Sequence, residues 1–168
     1  MPDSPGLGGS SDLSSLVEIH RAVLAETGAR LFTILAFTDG GRTMHRIYSS
    51  HPHEYPVGGR KDVTRDVAAD WLARCVDEQA PYFGRTRDDV RRIFADSALI
   101  ESLGCGSIIN APVVRDGLTI GALNILDAEG AYGDDDVEKA LAVASRSADV
   151  VAATINEMSS NEMSEEPQ

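Results

Sequence analysis

Residues 103–130 of this chain have the sequence LGCGSIINAPVVRDGLTIGALNILDAEG, in which two apolar runs stand on either side of Asp116-Gly117. Asp-Gly is a preferred two-residue loop of a type I′ β-hairpin, because both loop positions need a positive φ. The stretch therefore predicts an antiparallel hairpin in which Arg115 faces Leu118. Counted back from the turn, the expected pairs are Val113–Ile120, Ala111–Ala122, Ile109–Asn124 and Ser107–Leu126.

The two faces of this hairpin differ in size and polarity. Because successive side chains of a strand alternate between faces, the smaller and more polar face comprises Cys105, Ser107, Ile109, Ala111, Ala122, Asn124 and Leu126. We interpret that face as the wall of a cavity. The bulkier face, interpreted as a surface covered by helices, comprises Ile108, Asn110, Pro112, Val114, Gly121, Leu123 and Ile125. A bulge near Pro112 would exchange part of this assignment, so the sequence leaves open whether Asn110 or Asn124 faces the cavity.

The composition is that of one acidic domain. A chain of 168 residues with 42% hydrophobic residues is long enough for one core and too short for two comfortable domains. A formal net charge of −12 argues against binding to nucleic-acid phosphates or to an anionic membrane. No apolar run approaches the length of a membrane span, and the N-terminus lacks a signal-peptide pattern. Cys75 and Cys105 do not make a disulfide framework, so the sequence predicts a cytoplasmic protein.

The other elements follow from apolar spacing and from residues that begin or end helices. We predict a helix from Ser11 or Asp12 to Thr27, strands over residues 30–37 and 43–50, helices over 64–79, from Thr86 onward and over 97–103, and a final helix from Asp134 to Met158. Apolar residues of the final helix recur at spacings of four and three. This pattern predicts a seam against the N-terminal helix, the same helix of a second subunit, or both. Residues 1–11 and 159–168 are predicted to be disordered, which leaves residues 12–158 as the folded domain.

Residues 49–61, SSHPHEYPVGGRK, form a polar and chemically varied segment. Two prolines and a Gly-Gly pair exclude regular structure there, and polar loops on a sheet scaffold often carry function. Arg60 and Lys61 follow Gly58-Gly59, where the backbone can approach a ligand closely. Their charges suit a carboxylate or a phosphate, and the alternative is a pair of solvated charges at the edge of a loop.

The order of elements and two short motifs resemble a GAF domain. The motifs are residues 103–113, LGCGSIINAPV, with an apolar-Pro-apolar step, and residues 120–126, IGALNIL, after the turn. Tyr55-Pro56-Val57-Gly58-Gly59 is similar to the segment that precedes the pocket helix in that family. The resemblance implies an α+β fold with a central twisted antiparallel sheet, terminal helices packed on one face, and a ligand cavity under loops and short helices on the other. It also implies a small-molecule ligand. GAF domains usually sit beside an output domain, and because this sequence shows none we expect a stand-alone single-domain member of the family.

The leading hypothesis is a dimeric cytoplasmic metabolite sensor or binding protein for a small polar or anionic ligand. The ligand-binding residues are expected to come from the polar loop and the strands beside it, and they are Tyr48, Ser50, His51, Tyr55, Arg60, Lys61, Ser107 and Asn124. Trp71 is expected in the core. The homodimer is expected to form through the terminal helices, and neither nucleic acid nor a membrane is expected as a partner.

A small metabolic enzyme on the same scaffold, a hydrolase or a thiol/redox enzyme, is the alternative. Cys105 would then be a nucleophile or redox thiol activated by His51 or Lys61, whereas its other interpretation is a small apolar residue in a tight turn. His51 and His53 flank Pro52, a spacing that matches no known zinc site, so we expect no metal and no cofactor. A third hypothesis is an interaction module whose apolar seam docks onto a separate signalling protein.

Overall fold

An antiparallel sheet lies at the centre of the molecule, and the computed structural model describes residues 12–93 and 97–165. In chain order the strands are β1 (Leu31–Thr38), β2 (Thr43–Ser49), β3 (Arg60–Asp62), β4 (Tyr82–Gly84), β5 (Ser107–Arg115) and β6 (Leu118–Asp127). They form a six-stranded sheet in the order β3-β2-β1-β6-β5-β4, and every neighbouring pair is antiparallel. The helices of the described residues are α1 (Leu16–Glu26), α2 (Val63–Asp66), α3 (Ala69–Leu72), α4 (Arg87–Ile93), α5 (Ser97–Ser102) and α6 (Asp134–Glu165).

Helices α1 and α6 cover one face of the sheet. Ile19 and Val23 of α1 are buried in one core with Ala144 and Val151 of α6 and with the sheet residue Leu123. Ala144 and Val151 belong to the apolar seam predicted along the final helix. That seam is therefore occupied, at least in part, by the N-terminal helix and the sheet of its own chain.

Shorter elements cover the opposite face. Helix α3 continues as a π-helical turn, Ala73–Asp77, and buries Trp71 and Cys75 against the sheet. Val90 of α4 and Ile100 of α5 pack in a second cluster nearer the start of β5. The predicted α+β architecture, with terminal helices on one face and short helices on the other, is confirmed.

The hairpin forms at the predicted turn, but its register differs from the prediction by one residue. Asp116 and Gly117 have φ values of 52° and 80°, and Arg115 pairs with Leu118. Ile120 is then left out of the ladder as a bulge, so that the remaining pairs are Val113–Gly121, Ala111–Leu123, Ile109–Ile125 and Ser107–Asp127. An extra residue in one strand reverses the facing of its partner beyond that point.

The consequence of this bulge is that the predicted facing of β5 is wrong, while that of β6 is correct. Ile109, Ala111 and Val113 pack under α1 and α6, and Ile108 and Asn110 face the short helices. Asn110 pairs with Asn124, so both asparagines lie on the same side of the sheet.

Several predicted segments differ from the structure in extent. The predicted 64–79 helix is interrupted at Val67 and Ala68, whose extended ψ angles of 136° and 134° separate α2 from α3. Arg60 and Lys61, predicted in a loop, pair with β2 as part of β3. Strand β4 was not predicted at all. Helix α1 begins after Ser15, whose hydroxyl accepts from the Glu18 N–H, rather than at Ser11 or Asp12.

Helix α6 extends past Met158 to Glu165, so residues 159–165 are helical where disorder was expected. The prediction for residues 1–11 lies outside the described residues. In the described ranges, no helix has both the length and the apolar character needed to cross a membrane.

Candidate functional site

A cavity of about 170 Å³ lies between the sheet and the short helices, on the face opposite α1 and α6. Residues of β1, β2, β3, β5 and β6 line it on the sheet side, and residues of α2, α3, α4, α5 and the segment between β2 and β3 complete the lining. Most of the lining is apolar, including Leu31, Met44, Ile100 and Leu126. A cavity of about 150 Å³ accommodates a benzene-sized molecule, so this volume suits a small ligand.

Strand pairing arranges the residues on the cavity side of the sheet in rows that run across β5, β6 and β1, and Asn124 and Thr33 are the members of the middle row that line the cavity. In order along the strands, the rows are Ile108–Leu126–Leu31, Asn110–Asn124–Thr33 and Pro112–Ala122–Leu35. We call the middle row, Asn110–Asn124–Thr33, the polar row. Its members are 0%, 9% and 5% exposed, so three polar side chains are buried between two apolar rows.

The polar row is hydrogen-bonded from end to end. The indole Nε1–H of Trp71 donates to Asn110 Oδ1 at 2.9 Å, and Asn110 Nδ2 donates to Asn124 Oδ1 at 2.6 Å. Asn124 Nδ2 in turn donates to Thr33 Oγ1 at 3.0 Å. Because an indole nitrogen can only donate, Trp71 fixes which way both amides point.

Positive charge gathers at one end of the cavity, which we call the cationic end and define by Arg46, Arg60 and Lys61. Arg46 pairs with Leu35, one row beyond Thr33, and Arg60 and Lys61 come from the neighbouring strand β3. Among the described lining residues, Asp66 brings the only carboxylate to this end. The formal balance at the cationic end is therefore positive.

The Arg46 side chain is held in place by the loop that follows β2. Its guanidinium carbon lies 4.9 Å from the centroid of the Tyr55 ring, and its Nη1 donates to the Pro56 carbonyl at 3.2 Å. The Arg46 backbone N–H donates to the Gly59 carbonyl at 2.9 Å. These contacts orient a cation at the cavity. The Oδ2 of Asp66 accepts from the Asp62 backbone N–H, and its Oδ1 lies 3.7 Å from Arg65 Nε.

The structure brings four of the predicted ligand-binding residues to the cavity, and they are Tyr55, Arg60, Lys61 and Asn124. Tyr55 is buried against the apolar cluster at the α5 end, whereas Arg60 is exposed. These residues come from three separate segments of the chain. Their assignment as ligand contacts remains a prediction.

Tyr48, Ser50 and His51 lie away from the cavity lining. The register of β1 and β2 shifts at Ile47, so Ile47 and Tyr48 both pack against the core under α1 and α6. The Ser50 hydroxyl accepts from the Phe32 N–H at 2.9 Å and lies 2.8 Å from His51 Nδ1. These three side chains therefore tie β2 to β1 and to the helical side.

The Tyr48 hydroxyl has a partner in α1. It lies 2.7 Å from His20 Nδ1, and the His20 ring stacks on Phe32 with a centroid separation of 5.1 Å. Burial lowers the pKa of His20, and the nearby His51 lowers it further. The sequence did not predict this cluster, because no local pattern relates His20 in α1 to Tyr48 in β2.

Cys105 and Ser107 are buried behind the cavity rather than in its lining. Cys105 is 1% exposed and packs with Leu31 and Leu126, and burial raises the pKa of its thiol to about 11. A thiol of this kind is protonated at neutral pH, unlike an activated nucleophile. The Ser107 hydroxyl donates to the Gly84 carbonyl at 3.1 Å and so joins β5 to β4.

Sequence reasoning missed two residues that shape this cavity, Thr33 and Arg46, and it favoured the core over the pocket lining for Trp71. Trp71 is buried as predicted, but it also lines the cavity and bonds the polar row. A polar Thr33 in the otherwise apolar run of β1 was the signal available for the first of them. Within residues 12–93 and 97–165, no three His, Cys, Asp or Glu side chains lie close enough to hold a metal ion.

Together, the sheet order, the paired terminal helices and the covered cavity define the GAF fold. No protein-family model matches this sequence, and no curated protein matches it. The evidence from comparison is therefore structural.

Several solved structures are similar to this chain. The GAF domain of a two-component sensor histidine kinase from Bacillus halodurans has a TM-score of 0.60 at 16% identity, with 84% of this chain and 99% of that chain covered. The GAF domain/HD domain protein from Geobacter sulfurreducens has a TM-score of 0.67 at 11% identity, with 91% and 99% covered. The second GAF domain of DevS from Mycobacterium smegmatis has a TM-score of 0.57 at 16% identity, with 83% and 92% covered. At these identities the likeness shows the fold.

Proposed function

We propose that this chain is a signalling domain that binds a small polar or anionic molecule in the cavity beneath α3. The observation that carries this proposal is the buried polar row in an otherwise apolar floor. Replacing a hydrogen-bonded pair of buried groups with apolar groups of the same shape is nearly neutral for stability. A row of three polar side chains beside a cavity is therefore better explained by what it contacts there.

The similar structures support the signalling part of the proposal. One of them is named as the GAF domain of a two-component sensor histidine kinase. We also propose a cytoplasmic location, which the two free cysteines support.

Trp71 provides a direct test, since it is the only tryptophan in the sequence and it lines the cavity. We expect a metabolite library to contain compounds that change Trp71 fluorescence and raise the melting temperature in the same wells. A ligand at one hundred times its dissociation constant stabilises by about 2.7 kcal/mol. Mass spectrometry of the recovered compound then separates a binding protein, which returns it unchanged, from an enzyme.

A cavity-filling variant makes this test specific. Ala68 lines the cavity, so Ala68→Phe should abolish the response to every hit. Ala153→Phe, an equal enlargement at an exposed position of α6, is the matched control and should respond like the wild type. Binding by Ala68→Phe with wild-type affinity would place the ligand elsewhere and contradict the proposal.

We also propose that the chain forms a homodimer through its terminal helices. Val17 and Leu24 of α1 are 47% and 48% exposed and lie seven residues apart, on one face of the helix. Two exposed apolar residues on one face suit contact with a second copy.

Light scattering tests the dimer, for which we expect about twice the 17.9 kDa mass of one chain. The double variant Val17→Glu with Leu24→Glu should give the single-chain mass while keeping its secondary structure. A wild-type mass of one chain at micromolar concentration would contradict the proposal.

A further inference from the structure

The direction of the polar row leaves hydrogen-bond donors facing the cavity. Thr33 Oγ1 already accepts from Asn124 Nδ2, so its own proton must be donated elsewhere. In the part of the chain that the structure describes, no protein acceptor receives this proton. Thr33 is nonetheless 5% exposed and lines the cavity.

Asn124 adds a second donor beside the first. Its Nδ2 carries two hydrogens, of which one goes to Thr33, while its Oδ1 accepts from Asn110. Asn124 also lines the cavity. Because Trp71 prevents the amides from turning over, the polar row offers these donors in one fixed direction.

The charge of the cavity favours the same kind of ligand group. Arg46 lies on β2, the strand next to that of Thr33, and pairs with Leu35 one row beyond Thr33. Arg60 and Lys61 lie on β3, which pairs with β2. Among the described lining residues, the one carboxylate is that of Asp66, which is exposed, accepts from the Asp62 N–H and lies 3.7 Å from Arg65 Nε. A ligand with negative charge near Thr33 would therefore be attracted, and a cationic ligand would be repelled.

The opposite end of the cavity is apolar and enclosed. Leu31 and Leu126 form the row on the other side of Thr33 and Asn124, and Ile100 covers them from α5. All three are at most 4% exposed. By position along the strands, the lining thus changes from an apolar end, through a pair of donors, to the cationic end. The Arg46 guanidinium itself lies over the ring of Tyr55, which packs with Leu31 and Ile100.

We propose that the ligand is a small carboxylate with an apolar body of about the size of benzene, held with its carboxylate at Thr33 and Asn124 and facing the cationic end. Its apolar body lies against Leu31, Ile100 and Leu126. This inference rests on the proposed ligand-binding function and specifies the class of ligand.

Three ligands of one shape and different charge test this class. Isothermal titration calorimetry would use the full chain with benzoate, benzamide and benzylammonium. We expect benzoate to bind at least about tenfold more tightly than benzamide, because charged acceptors make stronger hydrogen bonds. Benzylammonium should not bind, and benzoate binding should weaken as salt is added. Equal or tighter binding of benzamide or benzylammonium would overturn the proposal.

Variants of Thr33 then test the donor itself. Thr33→Val keeps the shape and removes the hydroxyl, so benzoate should bind at least about tenfold more weakly, whereas Thr33→Ser keeps the donor and should bind like the wild type. Lys61→Gln, at the β3 position that pairs with the lining residue Met44, should weaken benzoate binding and its salt dependence, so it serves if Thr33→Val does not fold. Wild-type affinity of a folded Thr33→Val for benzoate, or of Lys61→Gln where the former is unfolded, would overturn the proposal.

Failure of this inference is distinguishable from failure of the proposed function. If none of the three ligands binds but library compounds still change Trp71 fluorescence and lose their effect in Ala68→Phe, the carboxylate class is wrong and the binding function stands. If no library compound produces that response, both are wrong.

Discussion

Removal of the central amide of the polar row should destabilise the protein strongly. Asn110→Leu, a substitution of similar size, leaves two buried groups without partners, namely the indole N–H of Trp71 and the Oδ1 of Asn124. Both groups belong to side chains that are no more than 9% exposed, so water does not readily replace the lost bonds.

The size of the effect follows from the number of orphaned groups. Each buried group left unpaired costs about 1–3 kcal/mol, so two of them cost about 2–6 kcal/mol. Domains of this size have total stabilities of about 5–15 kcal/mol. Asn110→Leu should therefore remove a large share of the stability. Trp71→Phe leaves only Asn110 Oδ1 unpaired, so the part of its stability loss that comes from hydrogen bonding should be smaller.

A double-mutant cycle separates this hydrogen bond from packing. Urea unfolding of the wild type, Asn110→Leu, Trp71→Phe and the double variant would be followed by far-ultraviolet circular dichroism. In the double variant the indole N–H is absent and cannot be left unpaired. The destabilisation of the double variant should therefore be smaller than the sum for the two single variants, by about 1–3 kcal/mol. Additivity within about 0.5 kcal/mol would refute the view that the hydrogen bond between Trp71 and Asn110 contributes to stability.

Three further outcomes are expected. A Cβ at Gly121 would overlap the backbone carbonyl oxygen of Leu35, so Gly121→Ala should lower the free energy of unfolding in urea by about 1–3 kcal/mol or more. Gly133→Ala, where the added atom meets nothing within 4 Å, should lower it much less. Equal losses of stability would contradict the close approach at Gly121. Because the pKa of His20 is lowered in the folded state, the unfolded chain binds its proton more readily, and stability should fall as pH drops from about 7.5 to about 5. The fall should be smaller in His20→Asn, and an unchanged fall would exclude His20 as its source. Burial raises the pKa of Cys105 to about 11 and that of Cys75 to about 12, so both thiols should react slowly with a disulfide reagent near pH 8 and rapidly after unfolding. Rapid labelling of Cys105 in the native protein would instead support the hypothesis that it is a reactive thiol.

The features that were predictable from sequence are those that local chemistry specifies. Asp116-Gly117 determines its own turn, because few other residue pairs adopt two successive positive φ values so readily. Capping and apolar spacing likewise predicted most ends of α1 and α6 to within a few residues. The GAF fold follows from the order of such elements.

The candidate site depends on events that local chemistry does not specify. A single bulged residue in β6, Ile120, brought Asn110 and Asn124 to the same face, and a bulge at Ile47 removed Tyr48 from the cavity. Whether a strand accommodates an extra residue depends on how both of its faces pack, which is a property of the assembled sheet. The bond from Asn124 to Thr33 joins positions 91 residues apart, so no local pattern indicates it.

The sheet ends on both sides in strands of three residues, β3 and β4. Strands this short present few unpaired backbone groups to a neighbouring molecule, and β3 carries Arg60, Lys61 and Asp62 in succession. The edges therefore offer an approaching β-strand few backbone groups to pair with, and the edge at β3 is charged. The native protein should therefore resist growth into cross-β aggregates by strand addition, and aggregation should begin only from unfolded chains in which the long central strands have separated.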